Sequence, residues 1–479
     1  MPKHIIVASL ITFIAFENLA IAKSDMQNFT LQQAITTALH NSEKNKISNY
    51  DLQIANEQYK QAISANFPSL DLEIGAIKKD EDFINITKGE IALPKEISNT
   101  LALISAPDAQ KPLVQQAIAT NQIPQVVMPL NYESIVMGDT TVAGKLKLTY
   151  PLYSGGKISA LQKQAKINKE IAQINQKSTK EEIIFSVKKY YYGSILAQQI
   201  TNLLEETSFR MDALNDLTKS LYNGGSEHVK KTDYYRTQIA SSAIKAFYSQ
   251  MQTKTKLAKS ALLFAMGIDQ QSKINLTNDK QVIQKPTKTL KYWIQTAYKN
   301  NKKLAKINKA LKIYDAKIDE SKSEYKPNIA LLGTYEKLHN NYDGGLSNPQ
   351  NDTSWSVGIG AKWNLFNGFR TDGKVSEAKL EKLKLKEQKK LLKNAIALQV
   401  KKAYFEAIGT TQQLKSLDQS VKSAQANRDL NTRAYQADMV KTKDVVEAQI
   451  TEAQIKAKYF QTYYNHILSH ASLEQLTGK

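Results

Sequence analysis

The chain of 479 residues contains no cysteine. That excludes disulfides, thiolate metal sites and lipid attachment through an N-terminal cysteine. Histidine is scarce, and the six present read as scattered, with no two at metal-ligand spacing. No phosphate-cradling glycine loop and no nucleophile–base constellation is visible, so the sequence calls for no enzyme activity, no cofactor and no bound metal. Beyond the N-terminus no uninterrupted apolar run approaches the roughly 20 residues of a membrane-spanning helix. Proline is sparse as well. Five of the eleven (Pro94, Pro107, Pro112, Pro124, Pro129) fall in one stretch.

What is abundant is lysine, and the formal net charge is +20. Such a charge suits a nucleic-acid binder. The lysines, however, are dispersed along helical stretches rather than clustered with aromatics, which describes a solvated face and no nucleic-acid partner. At the N-terminus Lys3 and His4 precede the apolar run Ile5 to Phe16, and Ala20-Ile21-Ala22 supplies small residues at cleavage-site spacing. Residues 1–22 therefore read as a secretory signal cut after Ala22, too short in its apolar part to span a bilayer.

A phrase occurs twice. YPLYSGGK begins at Tyr150 and WNLFNGFR at Trp363, an offset of 213. LQQAITTALHN (Leu31 to Asn41) likewise matches LKYWIQTAYKN (Leu290 to Asn300) at an offset of 259, which also carries Pro68 onto Pro327. Further on, Tyr191 falls on Tyr404 at 213, and Asp233 falls on Asp444 at 211. Ordered matches over a whole half mark an internal duplication. The first repeat takes residues 23–270 and the second 290–479, joined by a polar linker at 271–289. The change of offset gives the first repeat 46 extra residues within 79–140, and the five prolines there read as a long loop.

Each repeat begins with a helix pattern and continues into two strands. In the second, Trp355, Val357, Ile359, Ala361, Trp363 and Leu365 alternate with Ser354, Ser356, Gly358, Gly360, Lys362 and Asn364. In the first, Val142, Gly144, Leu146, Leu148 and Tyr150 alternate in the same way. Period two puts one set on each face of a sheet. The expected strands are 68–78, 141–153, 327–337 and 354–366, about the length of a tilted transmembrane strand. Long helices follow at 155–222 and 368–435, on the order of 100 Å each at 1.5 Å per residue. Shorter ones follow at 230–267 and 442–476. The seam Ile200, Leu204, Thr207, Met211, Leu214, Thr218, Leu221 has a heptad rhythm, so the helices are expected to fold back as antiparallel coiled coils at YNGGSEHV and YQADMVKT.

Each repeated phrase thus marks a strand with one lipid-type face becoming a long helix. Tyr150, Tyr153, Trp363 and Phe366 suit a membrane interface, and Gly155 and Gly368 allow the change of direction. Ser154 and Asn367 as helix caps in a soluble protein are the plainer alternative, which leaves the alternation unexplained. Four strands cannot close alone in hydrocarbon, where every backbone group must be paired. Three copies would give twelve.

With its duplicated half, its two strand-to-helix phrases and the turn segment YQADMVKTKDVVEAQ, the chain resembles the TolC-type outer-membrane efflux proteins over essentially its whole mature length. The resemblance implies an α+β membrane protein: a homotrimer with a twelve-stranded β-barrel in outer-membrane lipid, four strands per chain, continued by an α-helical coiled-coil tunnel across the periplasm. It implies an exit duct for efflux or type I secretion, working with a periplasmic adaptor and an inner-membrane transporter. The insertion at 79–140 would lie outside the cell. The family's acidic gate positions fall on Asp444 and Glu447, whose i, i+3 spacing shares one helix face, although such acids also simply stabilise a helix start. The family's inter-coil contact falls on Asp233 and Tyr435. Its basic partner position holds Val440, for which Lys441 or Lys443 would have to substitute. A periplasmic coiled-coil adaptor or scaffold without a pore fits the long helices equally well, but not the strands.

Overall fold

The computed structural model describes residues 27–278, 282–344 and 352–478. The expected signal segment lies outside them. The first repeat runs β1 (Gln27–Phe29), α1 (Leu31–Asn41), α2 (Glu43–Ser64), β2 (Ser69–Lys78), β3 (Phe83–Ala92), α3 (Lys95–Ser105), α4 (Lys111–Ala119), β4 (Val127–Met137), β5 (Thr140–Tyr153), α5 (Lys157–Asn223) and α6 (Lys231–Met266). The linker holds β6 (Ile274–Leu276), and the second repeat runs α7 (Leu290–Asn300), α8 (Lys302–Ser323), β7 (Asn328–Asn340), β8 (Thr353–Lys362), α9 (Arg370–Gln436) and α10 (Thr442–Thr477). Matched helices have equal lengths: α1 and α7 have 11 residues, α2 and α8 22, α5 and α9 67, α6 and α10 36.

The same local chemistry sets matched boundaries. Thr30 Oγ1 accepts from Gln33 N at 3.3 Å to start α1, and Thr289 Oγ1 accepts from Tyr292 N at 3.4 Å to start α7. Gly267 and Gly478 end α6 and α10 in the left-handed conformation, as C-terminal caps require. The linker contributes more than spacing, because β6 within it pairs in parallel with β1.

Contacts divide the chain into two units, each coherent in itself. The helical unit takes in residues to 58, 164–315 and from 379 onward. One of its cores gathers Val187, Tyr191, Leu262 and Met266 around Ala34 and Ala38 of α1. The Tyr191 hydroxyl lies 2.9 Å from the Phe29 carbonyl and 2.7 Å from that of Thr277, tying α5 to the β1–β6 pair. A second core joins Val400, Ala403 and Ala407 of α9 to Ala297, Leu304 and Leu473.

The sheet unit, residues 59–163 and 316–378, holds an antiparallel sheet in the order β2-β5-β7-β8. Its register aligns Leu72 with Leu146, Leu146 with Tyr335, and Tyr335 with Trp355. Residues directly opposite in such ladders share a face. One face is therefore apolar from edge to edge: Leu70, Leu72 and Ile74, then Leu146 and Leu148, then Leu331 and Tyr335, then Trp355, Val357 and Ile359. The opposite face carries Asp71, Glu73, Lys145, Lys147, Thr334, Glu336, Ser354 and Ser356. The outermost apolar side chains are well exposed, Ile74 by 74% and Trp355 by 75%. β7 runs three residues beyond the expected strand. β8 stops at Lys362, so Trp363 and Phe366 follow the strand instead of ending it.

The insertion is not the irregular loop its prolines suggested. β3 and β4 form a two-stranded antiparallel ribbon, and Lys79 N donates to the Asp139 carbonyl at 2.7 Å to link it to the β2–β5 ladder. Pro94 and Pro112 stand at the starts of α3 and α4, and Pro129 lies in a ribbon strand with one free edge. Those are places where a missing N–H costs nothing.

Between strand and long helix the backbone turns left-handed twice in succession, at Gly155 (φ 64°) and Gly156 (φ 95°), and again at Gly368 (φ 65°) and Phe369 (φ 63°). A Cβ at Gly155 would also stand 2.6 Å from the Ser323 carbonyl oxygen, whereas one at Gly156 meets nothing. Gly155→Ala is therefore expected to destabilise the fold by about 1–2 kcal/mol from the backbone alone, with the contact adding to that. Gly156→Ala should bring only the backbone share. Thermal unfolding followed by circular dichroism in detergent should rank Gly155→Ala below Gly156→Ala. Equal midpoints would show that the approach to Ser323 is not close.

Candidate functional site at the helix turns

The turns α5–α6 and α9–α10 close alike. Ser226 N reaches the Leu221 carbonyl at 3.0 Å, and Met439 N reaches the Ala434 carbonyl at 2.8 Å. The left-handed position is Gly225 (φ 76°) in the first and Asp438 (φ 60°) in the second, both residue types that accept it. Each following helix begins on an acid. Asp233 Oδ2 accepts from Lys230 N at 3.1 Å, and Asp444 Oδ2 accepts from Lys441 N at 3.3 Å. A carboxylate there satisfies an orphan donor and complements the helix dipole. Asp444 and, one turn on, Glu447 are both exposed, and neither is in an ion pair among the described residues.

The residues expected to join the coils divide. Tyr435 is 2% exposed, and its hydroxyl lies 3.0 Å from Thr218 Oγ1 on α5 and 3.1 Å from Thr442 Oγ1 on α10. It sits in a core with Met211, Leu214, Ile244, Val445 and Val446, so four helices meet at one apolar contact. Asp233 instead spends its second oxygen on Arg236 of its own helix, at 3.0 Å. Within the chain it reaches neither Lys441 nor Lys443, both of which are exposed. Val440, where a cation was sought, is half-buried against the same core and supplies apolar packing.

Beside this core lies a cluster the sequence reading missed. Glu452 of α10 is fully buried, with Arg210 Nη2 of α5 at 3.1 Å, Arg428 Nη1 of α9 at 3.3 Å and Lys456 Nζ at 2.6 Å. Arg210 Nε also donates to Gln449 Oε1 at 2.9 Å. A signal was available: the chain has only five arginines, and four of them (Arg210, Arg236, Arg428, Arg433) lie near the turns. In a lysine-rich chain, arginine marks places where a planar fork is needed.

Of the aromatics expected at a membrane interface, Tyr150 and Tyr153 are on β5 and Trp363 and Phe366 follow β8, and the register puts all four at one end of the sheet. Trp363 Nε1 donates to the Tyr325 carbonyl at 3.0 Å, and Phe366 meets Phe369 edge-on at 5.5 Å.

One sequence reading needs correcting. His466 and His470 are i, i+4 on α10, with ring centroids 4.7 Å apart, so two histidines do share a helix face. No third metal ligand joins them among the described residues. His466 Nδ1 lies 3.1 Å from Thr410 Oγ1, and His470 Nε2 lies 3.1 Å from the Gln284 carbonyl. Burial, aided by His470, pushes the His466 pKa down to about 4. An unfolded chain binds a proton at this residue from about pH 6.5 downward, but the folded chain does not until about 4. The folded state therefore loses stability as pH falls through that window. Thermal midpoints between pH 7 and 4 should fall less steeply for His466→Gln than for the parent, and equal slopes would assign the acid sensitivity elsewhere.

No helix among the described residues is long and apolar enough to cross a membrane. Comparison with curated protein sequences finds no match. Among solved structures, the Campylobacter jejuni CmeC outer membrane channel superposes with a TM-score of 0.71 at 13% identity, covering 94% of this chain and 85% of that one. VceC, an outer membrane protein of Vibrio cholerae, gives 0.68 at 14% identity, with 94% and 96% covered. The open state of the Neisseria gonorrhoeae MtrE outer membrane channel gives 0.65 at 14% identity, with 94% and 88% covered. At such identities the superpositions establish a shared fold alone. The family model for outer membrane efflux proteins matches residues 113–268 and 293–479, most of the chain. The chain thus belongs to the outer membrane efflux protein family, as an exit duct for an efflux system that is seated in the outer membrane and extends into the periplasm.

Proposed function

We propose that three copies of this chain close a twelve-stranded barrel through β2 and β8, that the long helices continue it as a tunnel, and that Asp444 and Glu447 ring its periplasmic constriction. The observation that carries the reading is the open sheet: an apolar face four strands wide ends on β2 and β8, each with one edge unpaired among the described residues. In hydrocarbon such edges must find strands, and only further copies offer matching ones. The helices support it. Leu383, Leu391, Leu398 and Phe405 of α9 form an exposed apolar stripe at near-heptad spacing, and Tyr235, Ile239, Phe247, Leu257 and Phe264 form another on α6. Exposed stripes of this length fit coils completed by a neighbouring copy. Light scattering in mild detergent should return three chains per particle, and a well-dispersed monomer would sink the architecture.

On this reading the duct is a conduit, not a catalyst, and receives its cargo from an inner-membrane transporter through a periplasmic adaptor, for efflux or for type I secretion. The β3–β4 ribbon and its helices lie outside the cell, with Lys88 of β3 exposed to trypsin. Cutting there in intact cells is the expected result. Cutting only after outer-membrane permeabilisation would reverse the topology.

The gate has its own test. Six carboxylates around one opening favour cations and hold hard multivalent ions. In planar bilayers the Asp444→Ala/Glu447→Ala protein should lose cation preference and be blocked far less by divalent and trivalent ions added from the periplasmic side. Stability should fall by only about 0.3–1 kcal/mol per exposed helix-start acid. Unaltered selectivity and block would leave the two acids as helix-start residues alone.

A further inference from the structure

The buried carboxylate of Glu452 has no part in the reading above, and its surroundings are unlike those of any other acid in the helical unit. Three cations from three helices converge on it. Arg210 comes from the first repeat, whereas Arg428 and Lys456 come from the second, so the contact crosses the duplication. At the matched place in the first repeat stands Ser241, which donates to Asp212 Oδ1 at 2.5 Å beside a single, half-exposed Lys245. Of the two matched helices α6 and α10, α10 alone is held by a buried carboxylate among the described residues.

We propose that Glu452 is a positioning residue that holds the periplasmic tip in its narrow state, by drawing α5 and α9 onto α10 about 12 Å along the helix from Asp444. The inference rests on the gate reading. Apolar packing around Tyr435 already joins the same helices, so a further weld for stability alone would be better made of apolar residues, because desolvation cancels much of a buried ion pair's gain. A buried pair differs from such packing in being directional. Arg210 and Arg428 reach the carboxylate only in one register of three helices, and a small slide breaks both contacts together.

The cluster is also left incomplete. Arg428 Nε is buried with no acceptor, although Nη1 pairs with Glu452 and Nη2 with Asp429 at 2.8 Å. Water entering on opening would supply that acceptor, which lowers the cost of release. The arrangement suits a contact that has to break in use, because it opposes separation until the helices move and is rehydrated once they have.

The test compares single-channel conductance of the assembled protein with that of Glu452→Gln, Arg428→Gln and Glu452→Asp in planar bilayers. A severalfold rise is expected for the first two, with cation preference kept, and a smaller rise for Glu452→Asp, whose shorter carboxylate keeps the charge. Conductance equal to the parent's in Glu452→Gln, together with a heat-labile assembly, would overturn the proposal and leave the cluster a structural weld. If Glu452→Gln does not assemble, Arg428→Lys and Arg210→Lys, which keep the charge and lose the fork, carry the same reading: raised conductance supports it and parental conductance overturns it. Raised conductance in Glu452→Gln beside unaltered selectivity in Asp444→Ala/Glu447→Ala would remove the acid ring and keep the latch. The opposite pattern would remove the latch alone.

Discussion

A strand edge cannot face hydrocarbon, because its N–H and C=O groups find no water there and each unpaired group costs several kcal/mol. That single constraint organises this molecule. The sheet unit carries one polar and one apolar face across four strands, yet among the described residues β2 and β8 both end with an open side. A soluble protein would cover the apolar face with a helix and blunt the edges with charge. Here Leu70, Leu72, Ile74, Trp355, Val357 and Ile359, the very residues of the two edge strands, are left bare. On the proposed reading, the open edges and the bare apolar face together call for assembly with further copies.

The duplication serves the same end. Two copies of one plan give two hairpins and two coiled coils with helices matched residue for residue in length, so the strand-to-helix turns and the tips recur at equal intervals. Where the repeats differ, the differences are informative. The first turn into a long helix uses Gly155-Gly156, and the second uses Gly368-Phe369, with a bulky aromatic in the left-handed conformation. Such a residue costs about 1–2 kcal/mol. Phe369 is exposed and packs edge-on against Phe366, so the strained position presents one more ring at the sheet end that already collects aromatics.

Much of this was legible because it is periodic. Alternation set the faces of β5 and β8, the seam from Ile200 to Leu221 proved buried or half-buried along its length, and the repeat placed α5 against α9 within two residues. Proline was a poorer guide. In the insertion it marked helix starts and a free ribbon edge, not an irregular loop, because a ring that ends one element also opens the next. The histidine pair on α10 was overlooked although its spacing is plain. The Glu452 cluster could not be found from spacing at all, since Arg210 and Arg428 are 218 residues apart and meet only when both coils are folded.

The tip shows why a chain with ample apolar packing still buries charge. Tyr435, Met211 and Val445 gather four helices, but apolar contacts between smooth helices tolerate sliding, and a duct end that slides has no defined bore. Hydrogen bonds between the Tyr435 hydroxyl and those of Thr218 and Thr442 fix one level of the bundle. Glu452 fixes a second, some turns along α10, and two fixed levels determine both the height and the tilt of that helix. Removing one partner from a buried pair costs about 3–5 kcal/mol, much more than the pair itself contributes. A contact of that kind adds little to the depth of the folded state while making one arrangement of the helices sharply preferred over its neighbours. That is the property which the proposed ring of Asp444 and Glu447 would need, held at a set distance from an axis and still able to leave it.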